Sequence, residues 1–282
     1  MSLGISAQFT PDTITERLAM NRREFLAASA VAGVTPLAHL GGLDPMQTAG
    51  REFYELRRYT MLPGAKQRLL NSYLSDAAIP AMRRAGTGPV GVFSVVYGTN
   101  SPTLYVLVVH PTLDSVATLR QRLWQDAEYL KAGAPFLDVA QSDPAFVRVE
   151  SSLLHAFEQM PKLEVPAGAG ARGARILELR RYESHSDKAA IRKIEMFNKG
   201  GEIPIFKRAG LNPVFFSESV IGDNQPSLTY MLSHTDMAAR DAGWAKFSSD
   251  PEWTKLSADP YYAATVSSVT DIILRPAAFS QI

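Results

Sequence analysis

The chain has 282 residues, 46% hydrophobic and 20% charged, a composition expected of a soluble globular protein long enough for one large domain or two small ones. Its 29 basic residues nearly cancel its 28 acidic ones, so no net positive field exists to gather nucleic acid or an anionic membrane surface. With no cysteine there is no disulfide framework, no thiolate metal site and no cysteine nucleophile.

The first distinctive feature lies near the N-terminus. Asn21, Arg22, Arg23, Glu24, Phe25 and Leu26 form a twin-arginine core, followed by an apolar, small-residue run from Ala27 to about Leu43. Residues 1–50 therefore resemble a Tat export signal, which implies the Tat export machinery as a partner and a periplasmic mature protein. Pro36 and the Ala and Gly content make the run less apolar than the roughly 20-residue stretch that spans a bilayer, so no stable membrane span is expected after export. Met20 is a second candidate start, and the mature chain begins somewhere from His39 to Arg51.

The rest of the chain repeats. Glu55-Leu56-Arg57-Arg58-Tyr59 recurs as Glu178-Leu179-Arg180-Arg181-Tyr182, and beyond a one-residue adjustment the offset is a steady 124. Ile79-Pro80 then matches Ile203-Pro204, Arg84-Ala85-Gly86 matches Arg208-Ala209-Gly210, and His110 falls on His234. Two repeats, residues 51–158 and 174–282, are joined by a Pro-, Gly- and Ala-rich linker, 159–173.

Within each repeat, alternation and β-branched content predict opening strands over Phe53–Thr60 and Ile176–Tyr182. Helical spacing follows over Gly64–Arg84 and Ser186–Arg208, with Pro80 and Pro204 expected to bend the last turns. Second strands over Val90–Tyr97 and Val214–Ile221 turn through Asn- and Pro-containing loops into third strands, Leu104–Val109 and Leu228–Ser233. Second helices, about Leu113–Leu130 and Asp236–Leu256, lead to fourth strands over Val147–Phe157 and Val266–Leu274. The fold class is α+β: two tandem ferredoxin-like β-α-β-β-α-β repeats. Each such unit covers one sheet face with helices and leaves the other face in need of a partner. The linker lets the two repeats pack sheet to sheet as an intramolecular dimeric α/β barrel, and further homo-oligomerisation remains open.

The E-L-R-x-Y opening strand, the I-P-x-x-x-x-A-G end of the first helix, and Asp250-Pro251-Glu252-Trp253 with its altered copy Asp126-Ala127-Glu128-Tyr129 resemble the NIPSNAP domain of the dimeric α/β-barrel superfamily. The resemblance covers Arg51 to Pro276. It implies the fold but no settled activity, because relatives in that superfamily include cofactor-independent oxygenases, haem-degrading enzymes and plain ligand-binding modules.

Motifs for defined chemistry are few. Gly168-Ala169-Gly170-Ala171-Arg172-Gly173 has the dinucleotide-loop spacing but precedes a strand instead of following one, so it reads as linker. The five histidines lack metal-ligand spacing, and neither a metal nor a cofactor is expected. Two polar constellations stand out. Glu55, Arg57 and Tyr59, with Glu178, Arg180 and Tyr182, share equivalent strand faces; they are either satisfied ion pairs or, through Arg57, Tyr59, Arg180 and Tyr182, ligand-binding groups for a carboxylate or carbonyl. His110 and His234 each sit where a third strand meets a helix N-terminus, as structural residues or as catalytic bases. His234 is the favoured functional copy, with Asp236 as the carboxylate that would orient it. Trp124, Trp244 and Trp253 read as packing residues. The expected function is binding of a small, partly apolar molecule in a cavity between a sheet and its helices. The alternatives are a cofactor-independent oxygenase or isomerase and a non-catalytic interaction scaffold.

Overall fold

A computed structural model describes residues 50–98, 102–167 and 175–282. The twin-arginine segment and Gly168–Gly173 lie outside the described residues. Strand β1 (Phe53–Thr60) is followed by α1 (Ala65–Tyr73), a π-helical turn (Leu74–Ala78) and α2 (Ile79–Arg84). Then come β2 (Val90–Val95), β3 (Thr103–His110), α3 (Leu113–Trp124), α4 (Ala127–Leu137) and β4 (Arg148–Ala156). The second repeat runs β5 (Ile176–Glu183), α5 (Asp187–Asn198), α6 (Glu202–Arg208), β6 (Asn212–Ile221), β7 (Ser227–His234), α7 (Met237–Ser248), α8 (Pro251–Ser257) and β8 (Ser268–Pro276).

The helices depart from the sequence reading at their prolines and aspartates. Pro80 and Pro204 do not bend a last turn: Pro204 sits in the first turn of α6, where its missing N–H costs nothing, and Pro80 follows directly on the π turn. In the first repeat the π turn absorbs the change without interrupting the helical run, whereas in the second the chain breaks at Gly201, whose φ of 91° suits glycine. Each expected second helix is two helices. Asp126 and Asp250 cap the second of them: Asp126 accepts from Tyr129 N at 3.0 Å, and Asp250 from Glu252 N at 2.9 Å. The Asp-x-Glu-aromatic motif is thus a helix start. Arg84 and Arg208, at the ends of α2 and α6, donate through Nε to Asp126 and Asp250 at 2.8 and 2.9 Å, fastening one helix layer by the same clamp in both repeats.

Each repeat forms an antiparallel sheet, β4-β1-β3-β2 and β8-β5-β7-β6. The sheets do not simply face one another. They join edge to edge, β2 to β8 and β4 to β6, and close an eight-stranded barrel. The strand order repeats after four strands with direction preserved, so the pseudo-twofold relating the repeats runs along the barrel axis. Helices cover the outside of each sheet. Side chains alternate accordingly: Tyr54, Leu107, Leu154, Leu177, Phe215 and Leu274 fill the interior, while Leu70, Leu74 and Met82, or Phe197, Phe206 and Phe216, fill the outer layers. Among the described residues no helix is long and apolar enough to cross a membrane.

The seams between repeats are short, and segments following each repeat lengthen them. After β8 the chain lies along β2, where Ala277 N donates to Val92 O at 2.8 Å and Gln281 N to Val90 O at 3.0 Å. The side chains of Gln281 and Ser280 accept from Val90 N and Val92 N, and Ile282 is wholly buried in the barrel. The start of the linker does the same for β6, with Phe157 N on Phe216 O and Glu164 N on Val214 O, both at 2.9 Å. Val214 and Phe216 are the repeat counterparts of Val90 and Val92. Each repeat's trailing segment therefore covers the other repeat's edge strand.

A fragment of residues Arg51–Pro161 retains β2 and β4 as unpaired edges and loses the cover on β2. It is expected to self-associate or aggregate in sedimentation velocity. A stable monodisperse monomer would show that the repeats are independent.

Candidate functional site

On β5 the side chains of Glu178, Arg180 and Tyr182 point outward, toward α5 to α8, and the outward positions become charged at the end nearest His234. Glu178 is fully buried. Its carboxylate accepts from His234 Nε2 at 3.1 Å, Arg180 Nη1 at 2.8 Å, Arg240 Nη2 at 2.8 Å and Trp244 Nε1 at 2.9 Å. Asp271, the register partner of Arg180 on β8, receives both arginines at 2.9 Å. Burial alone would raise the Glu178 pKa, but the hydrogen bonds from His234, Arg240, Trp244 and Arg180 outweigh it and hold the carboxyl far below the usual range. Asp271 is pushed upward by its own burial and by the Glu178 charge. Arg180 also lies 4.6 Å from the Trp244 ring centre.

An ionised carboxylate only accepts, so the His234 nitrogen facing Glu178, Nε2, carries a proton. The carboxylate that orients it is Glu178 across the sheet. Asp236, expected in that role, instead caps α7 through Ala239 N at 2.8 Å. His234 also lines a cleft of about 530 Å³, together with the polar residues Glu164, Arg175, Lys207, Asn212, Ser233 and Thr235 and the apolar Val165, Pro166, Ala167 and Pro213. Lys207 is paired with Glu164 at 2.8 Å. Arg175 has no acidic partner among the described residues, and its Nη1 is buried without a hydrogen bond; partial burial lowers its pKa.

The first repeat holds a thinner version. Arg57 grips Glu55 bidentately at 2.8 and 2.7 Å, Ser151 donates to Glu55 at 3.2 Å, and the His110 Nε2 stands 3.8 Å away. His110 Nδ1 meets Ser115 Oγ at 3.1 Å, and its buried Nε2 makes no hydrogen bond. Burial would raise the Glu55 pKa, but the neighbouring His110 imidazole and the bidentate Arg57 guanidinium outweigh it and lower it to about 2. Both histidines stand at strand–helix junctions as the sequence implies, but only His234 lines the cleft. Arg57, Tyr59, Arg180 and Tyr182 do not line it: both arginines are spent on carboxylates, Tyr59 is buried among the helices, and Tyr182 shares a 2.7 Å hydrogen bond with Tyr230. Between each sheet and its helices lie the outer hydrophobic cores, which in the second repeat include Phe157, Phe197, Phe206, Phe216 and Phe247.

Sequence reasoning missed Arg240, Trp244 and Asp271. Their counterparts are Val116, Arg120 and Ser151, so a comparison of repeats passes over them. The available signal was the spacing of Arg240 and Trp244, one helical turn apart on one face. Trp244 and Trp253 pack in the second-repeat core, but Trp124 is 51% exposed and merely edges Tyr129, contrary to its reading as packing. Among the described residues no three His, Asp or Glu side chains are grouped to hold a metal ion.

The architecture defines a dimeric α/β barrel made within one chain. Two solved structures named "putative monooxygenase" share it: one from Lactobacillus acidophilus NCFM at 9% identity, covering 80% of this chain and 94% of that one with a TM-score of 0.52, and one from Fusobacterium nucleatum at 6% identity, covering 81% and 93% with a TM-score of 0.54. A NIPSNAP-like domain protein from Burkholderia xenovorans matches at 20% identity over 39% of this chain and 90% of its own, with a TM-score of 0.35. No curated protein matches. The NIPSNAP family model matches twice, at residues 54–156 and 177–281, and the chain belongs to the NIPSNAP family, as a tandem member of undefined activity.

Acid should unfold the protein through these carboxylates. Glu55 and Glu178 have folded pKa values below their unfolded ones, so the unfolded chain binds protons first as pH falls below about 4.5, and their stability contribution is lost progressively toward pH 2 and lower. Asp271 acts in the opposite sense but is one group against two. Removing the Glu178 carboxylate strands two arginines with Asp271 alone. Glu178→Ala should cost about 3–5 kcal/mol in urea denaturation at pH 7, and Glu55→Ala distinctly less. Equal losses would show that the richer second-repeat network adds nothing.

Proposed function

We propose that the protein binds a small, partly apolar molecule bearing a carboxylate or similar anionic group in the cleft beside His234. The observation that carries this reading is Arg175: a guanidinium with no acidic partner among the described residues, one nitrogen buried and unbonded, lining a 530 Å³ cleft that Val165, Pro166 and Pro213 also line. A buried donor left unmade costs about 1–3 kcal/mol, and a ligand oxygen would recover it. Those apolar residues would take the rest of the molecule.

Native mass spectrometry of the purified protein should find a small molecule retained by the wild type and lost from Arg175→Met and His234→Ala. His234→Ala also removes a buried hydrogen bond to Glu178, so it and His110→Ala are both expected to lose about 1–3 kcal/mol of stability. Only the His234 variant should lose the ligand as well. Retention unchanged in Arg175→Met sinks the reading.

A second reading rests on the His234–Glu178 pair. With Nε2 held by a buried carboxylate, His234 has the arrangement of a general base in a cofactor-independent oxygenase or isomerase, and Nδ1 would take the proton. The "putative monooxygenase" structures share the fold and support nothing narrower. Turnover of the retained molecule abolished by His234→Ala, with binding kept, would select this reading over simple binding.

Export through the Tat machinery to the periplasm is proposed on Arg22, Arg23 and the apolar run behind them. Changing both arginines to lysine should hold the protein, still folded, in the cytoplasm. Unchanged periplasmic yield in cell fractionation excludes the proposal.

A further inference from the structure

The barrel interior is apolar at one end and polar at the other, and the polar end has lost its symmetry. Arg58 and Arg181 are repeat counterparts, both facing inward on β1 and β5. Opposite Arg58 on β4 stands Glu150, its register partner, which accepts from Arg58 Nε at 2.8 Å. Opposite Arg181 on β8 the same register position holds Thr270, whose hydroxyl lies 3.4 Å from Arg181 Nη2. Arg181 retains one carboxylate contact, Glu183 at 3.3 Å, itself engaged with Asn224, and the Arg181 Nε is buried with no partner. Just there the interior is incompletely filled. A cavity of about 50 Å³ is lined by Arg181, Tyr105, Thr229, Thr270 and the serines Ser152 and Ser219, together with Leu56, Leu154, Leu179, Ile272 and Asp223. Asp223 is exposed, so its charge is solvated.

We infer that this cavity is a binding site for one small monovalent anion, a halide or a carboxylate no larger than formate, held by Arg181 and the surrounding hydroxyls. Size sets the upper limit. On this measure about 10–15 Å³ suffices for one water, so about 50 Å³ suits a single small ion. Chemistry sets the sign. The lining offers a guanidinium and five hydroxyls as donors, and hydroxyls can all turn their protons inward around an anion. Divergence gives the reason for one site and not two: in the first repeat Glu150 already occupies the place of the anion beside Arg58. The site is inside the barrel, lined by none of the residues of the His234 cleft, and stands or falls separately from the proposed function.

The test supplies Arg181 with the partner its counterpart has. Thr270→Glu places a carboxylate opposite Arg181 as Glu150 stands opposite Arg58. Thermal unfolding is followed with bromide in one arm and formate in the other, ionic strength held constant with bulky gluconate, alongside crystals soaked in bromide. The wild type is expected to show a saturable rise in Tm with at least one anion and an anomalous bromide peak, or formate density, against Arg181. Thr270→Glu should fold with an equal or higher Tm and lose both the response and the peak, and Arg181→Met should lose them too. Absence of any saturable response and of density at Arg181 in the wild type would overturn the inference, as would an unchanged response in a folded Thr270→Glu.

Discussion

The structure depends on the backbone hydrogen bonding that joins β2 to β8 and β4 to β6. An isolated four-stranded sheet of this kind would leave two edges open and one apolar face wet, and neither is tolerable alone. Joining the edges solves both problems together, because closing the ring also encloses the faces around Tyr54, Leu107, Phe215 and Leu274. The directly paired stretches are short, three residues at β2–β8 and four at β4–β6. The crossed cover of β2 by the C-terminal residues and of β6 by the linker start completes them, which makes those two irregular segments part of the barrel wall.

Closure also determines where polar chemistry can occur. Inside, the apolar layers run from Ile282 down to Leu56 and Leu179, and Arg58, Glu150 and Arg181 lie beyond them. Outside, helices bury the sheet, so charges on outward positions survive only where they are paired. Glu178 shows what this demands: four donor groups and a second carboxylate, Asp271, to balance the arginines. A histidine attached to such a network is held in place, and His234 owes its Nε2 hydrogen bond and its position at the cleft to it.

Much of the fold was legible because it is periodic and present twice. Alternation located every strand to within a few residues, and the repeat identified the split βαβ order. The helix breaks were not legible, since Asp126 and Asp250 read as the tail of one helix when their carboxylates cap the next. The covering segments were hidden by composition: Pro, Gly and Ala in 159–173 suggest a tether, and only the main-chain hydrogen bonds of Phe157 and Glu164 reveal otherwise. In the site, sequence nearness favoured Asp236 as the partner of His234, while strand register brought Glu178 there from 56 residues away. Arg175 carried no signal at all, because what distinguishes it is a missing partner.

Fusing two repeats into one chain changes what an axis of symmetry permits. In a dimer of identical subunits any side chain beside the twofold appears in both copies, so a lone charge inside the barrel is impossible: a glutamate opposite one arginine is a glutamate opposite both. Here the axis is only approximate, and Arg58 can face Glu150 while Arg181 faces Thr270. The covalent link thus frees the interior to hold one unmatched feature, as a hetero-oligomer can, while the backbone keeps the economy of a duplicated plan.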